Sequence, residues 1–111
     1  MVGKMLIEIN EQNFDEEVLN SHLPVFACFT ASWCSSCFPT CLLADELFGE
    51  YKGKIKFVRV DIEESAETAE RYHITAVPTI IVFKESLVIK KLISFQERSY
   101  LTSLLNSLAA E

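Results

Sequence analysis

The sequence predicts an α/β protein, a mixed central β-sheet with helices on both faces and the element order βαβαβαββα. Three observations carry this expectation. Segments with strand patterning alternate with segments of helical spacing from residue 4 to residue 72. Val25 to Phe29 is apolar at every position, as in a strand covered on both faces. The chain then ends with two strand patterns joined by a tight turn and a final amphipathic stretch. Helices between the early strands require crossover connections, whereas a hairpin is antiparallel, so the sheet is expected to be mixed.

Lys4 to Ile9 reads as the first strand. Asn13 followed by Glu16 is a capping-box pattern, and Phe14, Val18 and Leu19 set an apolar stripe on the helix it opens. That helix is expected to end near Ser21 and His22, ahead of Pro24. Val25 to Phe29 is the expected centre of the sheet. From Cys34 to Tyr51 the residues Cys37, Cys41, Leu42, Ala44, Asp45, Leu47 and Phe48 recur at helical spacing, predicting one long helix punctuated by Gly49 and Gly53. Pro39 lies inside it and lacks an N–H, so a kink or loosened turn is expected just after Cys37. Lys54 to Ile62 reads as a strand with Val58, Val60 and Ile62 on one face. Its other face begins with Ile55 and Phe57 and turns polar at Arg59 and Asp61. A short acidic helix follows over Ser65 to Tyr72. Thr79 to Phe83 and Leu87 to Ile93 are strands turning at Glu85 and Ser86, and Glu97 to Ala110 closes the chain as an amphipathic helix.

With 111 residues, half of them hydrophobic, the chain has material for one packed core, and residues 1–111 are read as a single domain. No linker, repeat or low-complexity tract divides it. Ten Lys and Arg against sixteen Asp and Glu give a net charge of −6, which repels a phosphate backbone and argues against nucleic acid. The three glycines form no phosphate-cradling loop. The longest apolar runs fall well short of the roughly 20 residues of a helical membrane span. Met5, Leu6 and Ile7 are too few for the core of a secretory signal, so with Met1 as the native start a cytoplasmic location is expected.

All four cysteines, Cys28, Cys34, Cys37 and Cys41, fall in one short stretch, which suggests a local chemical site rather than a framework of long-range disulfides. Trp33-Cys34-Ser35-Ser36-Cys37 lies where a buried strand gives way to a helix. The first sulfur therefore sits beside unpaired helical N–H groups, which favour its thiolate. Cys34 is then the nucleophile, and Cys37, one turn on, can displace a mixed disulfide. Zinc sites use the same spacing, but His22 and His73 do not supply a second ligand pair and are read as surface or loop residues. Cys28 and Cys41 are read first as core filler, since free cysteine is among the most buried residue types, with a redox or ligand role as the alternative.

Across nearly its whole length the chain resembles the thioredoxin family. Trp33 matches the tryptophan before the first cysteine, Cys34 and Cys37 the active-site pair, and Ala76-Val77-Pro78-Thr79 the cis-proline loop. The resemblance implies a thioredoxin fold, with Pro78 in cis facing the cysteines and the Val77 backbone offered to a substrate peptide. It implies a thiol–disulfide oxidoreductase that acts on protein disulfides, needs no bound cofactor or metal, and is recycled by a thioredoxin reductase. Trp33 then flanks the substrate, and Arg59 matches a basic residue beneath the site.

Several positions depart from the family pattern. Ser35-Ser36 replaces Gly-Pro between the cysteines, which bears on the redox potential. Cys28 stands where a buried aspartate is usual, which bears on proton handling. Phe38 replaces a basic residue, Leu42 a proline, and Ser94 a glycine of the substrate groove. Cys28, Arg59, Ser35 and Ser36 are thus candidate modulators of the couple. Two other readings remain open. One is a metal or iron–sulfur protein using the cysteine cluster, and the other a low-turnover interaction module on the same fold.

Overall fold

The computed structural model describes residues 6–110. Its elements are β1 (Ile7–Ile9), a π-helical turn (Asp15–Leu19), β2 (Val25–Thr30), α1 (Cys37–Tyr51), β3 (Lys56–Asp61), α2 (Ala66–Arg71), β4 (Thr79–Lys84), β5 (Leu87–Ile93) and α3 (Arg98–Ala109). Lys4 and Met5 of the expected first strand lie outside the described residues.

The five strands form one sheet in the order β1-β3-β2-β4-β5. β1 and β2 run parallel to β3, while β4 is antiparallel to β2 and to β5. β2 is central and buried at all six positions, as its unbroken apolar pattern predicts. Alternation along the strands divides the core between the two sheet faces. Phe26, Cys28, Phe57, Ile80 and Val82 meet Cys41, Ala44 and Leu47 of α1 and Leu101, Leu105 and Leu108 of α3. On the other face Ala27, Phe29, Val58, Val60, Ile81 and Phe83 pack with Phe14 and Val18, and Tyr72 and Ile74 after α2 close over them. Helical segments thus cover both faces.

Two expected boundaries shift. The first helix is a single wide turn, with Asn20 N–H donating to Asp15 O at 2.9 Å, and Asn13 does not cap it. Asn10 acts as the cap instead, its Oδ1 accepting from the N–H groups of Gln12 and Asn13, both at 2.9 Å. Asn13 turns back toward β1, donating from Nδ2 to Glu8 O at 3.0 Å. Asn10 caps amides one turn earlier than an Asn13 cap would, and Asn13 Oδ1 accepts from Asn10 N–H at 2.7 Å, so the two asparagines form a reciprocal pair like a capping box.

The long helix begins at Cys37 rather than Cys34. Cys37 N–H donates to Cys34 O and Phe38 N–H to Ser35 O, each at 3.2 Å, so the turn ahead of α1 is the tighter three-residue kind. Pro39 lacks the N–H that would carry a four-residue bond back to Ser35. The loosening expected after Cys37 therefore lies before it.

The β4–β5 turn is two residues long, with φ of 52° at Glu85 and 71° at Ser86. These are the signs of a type I′ turn, whose twist suits a hairpin.

Candidate active site

Because β2 and β3 are parallel, their carboxyl ends open on the same edge of the sheet. The face that carries Phe26 and Phe57 in the core continues to Thr30 on β2 and to Arg59 and Asp61 on β3. Those three side chains, with Ala31, Ser32, Cys34, Cys37, Phe38 and Cys41, line an open cleft of about 330 Å³. The polar end of the β3 pattern is thus the floor of the site.

Cys34 and Cys37 are bonded as a disulfide with Cα atoms 5.4 Å apart. Cys37 is buried at the first position of α1, while Cys34 is half-buried at the mouth, its N–H donating to Ala31 O at 3.1 Å. Ser36 Oγ lies 3.4 Å from Cys34 Sγ, so the hydroxyl that replaces a family proline touches the outer sulfur. The first-turn N–H groups of α1 gather here, where a negative charge is stabilised. No Lys or Arg occurs between residues 5 and 51. The cation that does reach the cleft is Arg59, from β3.

Beneath the disulfide, three elements converge. Cys28 on β2 is the register neighbour of Arg59 on β3, and both meet Cys41 of α1. The Cys28 thiol hydrogen-bonds to Cys41, and that bond together with burial pushes the Cys28 thiol well above its ordinary range. Cys41 moves the other way, down to about 7. The hydrogen bond with Cys28 leads this shift, and the charge and hydrogen bond of Arg59 add to it against burial and Asp45.

The Val77–Pro78 peptide is cis, as the resemblance implies. The pairing of Phe29 with Thr79 brings this loop to the carboxyl end of β2, beside the loop that carries Cys34. Pro78 O accepts from Ser94 N–H at 2.8 Å, and Ser94 sits at φ 77°, a left-handed backbone that explains why glycine suits this place. Trp33 is 67% exposed.

Of the residues predicted from sequence, Cys34, Cys37 and Arg59 line the cleft. Trp33, Ser35, Ser36, Val77 and Pro78 do not line it, and Cys28 lies below it. Sequence reasoning missed Asp61 and placed Cys41 in the core first, where it is indeed buried, without placing it at the cleft wall. The signals were present: Cys41 is four residues after Cys37, hence on the same helix face, and Asp61 is two after Arg59 on the same strand face. Among the described residues no group of three or more His, Cys, Asp or Glu side chains is arranged to hold a metal. No helix among them is long and apolar enough to cross a membrane.

Comparison with known proteins agrees with this arrangement. The thioredoxin family model matches residues 5–107. Thioredoxin C-2 of Corynebacterium nephridii is 32% identical over 101 residues, covering 91% of this chain and 94% of that protein. Thioredoxin of Staphylococcus haemolyticus is 31% identical over 101 residues, covering 91% and 95%. The chloroplastic M-type thioredoxin of Chlamydomonas reinhardtii is 42% identical over 76 residues, covering 68% of this chain and 54% of that one. With a five-stranded mixed sheet, a cysteine pair at the head of α1 and these relatives, the chain belongs to the thioredoxin family of protein disulfide oxidoreductases.

Proposed function

We propose that Cys34 is the attacking thiolate and Cys37 the resolving thiol of a two-electron couple that reduces or exchanges disulfides in other proteins. Cys34 attacks one substrate sulfur and expels the other as a thiolate, leaving a mixed disulfide. Cys37 then gives up its proton and attacks Cys34, releasing the second substrate thiolate and closing the Cys34–Cys37 disulfide. Two electrons pass to the substrate, and its two thiolates take up protons. The observation that carries this assignment is the unequal exposure of the pair, with Cys34 half-buried at the cleft mouth and Cys37 buried behind it. An incoming protein sulfur meets Cys34 first.

The substrate peptide lies against the backbone of Val77 beside Pro78, with Trp33 flanking it. Ser35, Ser36, Cys28 and Arg59 tune the couple. The family acts on protein disulfides and is reduced by thioredoxin reductase, and we assign the recycling of this chain to such an enzyme in the cytoplasm. The residues act as one domain without a bound cofactor.

Insulin reduction driven by dithiothreitol tests the activity, and mass spectrometry of single variants with a disulfide peptide tests the roles. Cys34→Ser is expected to abolish turnover without trapping substrate, and Cys37→Ser to accumulate the mixed disulfide. Trapping by Cys34→Ser alone would reverse the two roles.

A further inference from the structure

We propose that Cys28 and Cys41 are a second redox-active dithiol, oxidised to a disulfide by exchange with the Cys34–Cys37 disulfide above them. The proposal rests on the Cys34/Cys37 couple assigned above. Its geometric basis is the placement of two buried thiols from different elements, β2 and α1, in one core cluster. The second of them also lines the cleft that holds the disulfide. Cys28 is 0% and Cys41 4% exposed, so a protein substrate does not reach either one. The cleft gives them a single neighbour with an oxidised sulfur, the active-site pair.

The exchange balances without an outside reagent. The Cys41 thiolate attacks Cys37 Sγ, and the Cys34–Cys37 bond breaks with Cys34 leaving as the thiolate. Cys28 then loses its proton and attacks Cys41 Sγ, expelling the Cys37 thiolate. One disulfide is consumed and one formed. Two electrons move from the Cys28/Cys41 pair to the Cys34/Cys37 pair, and the protons lost below are taken up above.

The structure favours the first step. Arg59 is the register partner of Cys28 and hydrogen-bonds to Cys41, so the attacking thiolate has a guanidinium beside it. The other groups that bear on it are Cys28 on β2 and Asp45 on α1. Glu8 on β1 pairs with Arg59, and Asp61 lies across the cleft. A thiol poised near neutral pH combines ionisation with nucleophilicity, and Cys41 lies at about 7. The three-residue turn ahead of α1 and the missing N–H of Pro39 leave Cys37 in the least constrained part of the helix.

Disulfide mapping of the full chain tests this. The reduced protein is treated with excess diamide, unfolded in the presence of an alkylating maleimide, and weighed intact. Chymotryptic peptides, in which Cys28 separates from the other three cysteines, are then fragmented to locate each bridge. The expected result is loss of all four alkylatable thiols with a mapped Cys28–Cys41 bridge in wild type. Cys34→Ser/Cys37→Ser is expected to keep Cys28 and Cys41 fully alkylatable under the same treatment, with Cys34→Ala/Cys37→Ala as the second variant if the first does not fold. Wild type that retains alkylatable Cys28 and Cys41 at saturating oxidant overturns the second dithiol. A Cys28–Cys41 bridge that forms as fast in the variants as in wild type overturns the exchange. Insulin reduction by the same wild-type preparation keeps the two proposals apart, since its loss counts against the Cys34/Cys37 assignment rather than against the lower pair.

Discussion

Arg59 Nε donates to Glu8 Oε2 at 2.8 Å, so the cation that reaches the cleft is already paired with a carboxylate on β1. Its charge also acts on Cys41. The charge beside the disulfide is therefore largely compensated, and the helix start dominates the field at Cys34.

It follows that Arg59→Ala raises the Cys34 thiol pKa by less than one unit, about 1.4 kcal/mol. Iodoacetamide alkylation rates against pH, compared with wild type, measure this. A larger rise would show that Arg59 governs Cys34 despite Glu8.

Cys41 and Cys28 give the reduced protein a two-sided pH dependence. Cys41 is lowered to about 7 from an unfolded value of about 8.5. Its contribution is therefore full above the unfolded value and lost as pH falls through about 7. Cys28 is raised, so its contribution is full below the unfolded value and lost as pH climbs toward the folded one. Stability under reducing conditions should rise by about 2 kcal/mol from about pH 7 to about pH 8.5 and fall beyond it. Guanidinium melts with excess reductant read this out, and Cys41→Ser should remove the rising limb.

Ser94 holds φ 77° while its N–H caps Pro78 O. Ser94→Gly keeps the backbone bond and relieves the left-handed cost. A gain of about 1 kcal/mol, or about 4 °C in Tm, is expected by differential scanning calorimetry. An unchanged or lower Tm would mean that the added freedom of the unfolded glycine cancels the relief.

Tyr51 Oη donates to Asn106 Oδ1 at 2.6 Å and lies 3.3 Å from Thr102 O, joining the end of α1 to α3. Tyr51→Phe retains the buried ring and removes only the bond. Chemical denaturation should show a loss of about 1 kcal/mol, with insulin reduction unchanged because the cleft lies at the other end of α1.

How far the sequence could be read depended on the range of the forces involved. β2 is legible because five consecutive apolar residues admit few solutions, and the β4–β5 hairpin because its turn is two residues long. The boundary at Cys37 and the turn after Asn13 depended on which of two nearby groups takes a role, Asn10 or Asn13 as the cap, Ser35 or Cys34 as the acceptor for Phe38 N–H. Sequence pattern names the competitors without ranking them. The disulfide pair is a local motif and could be seen directly. The convergence of Cys28, Cys41 and Arg59 required the parallel register of β2 on β3, a long-range fact, so packing came first among the readings of Cys41.

The buried stripe of α1 starts at Cys37 and runs through Cys41, Ala44, Leu47 and Tyr51, while Ser35 and Ser36 stand exposed ahead of it. The residues that set the chemistry of the outer sulfur and those that hold the helix to the sheet are therefore different residues. The dipeptide between the cysteines is free to drift as the demands on the couple change, with little loss of foldedness. Cys41 has no such latitude, because it lines the cleft as well as packing in the core, and any change there is felt by both together.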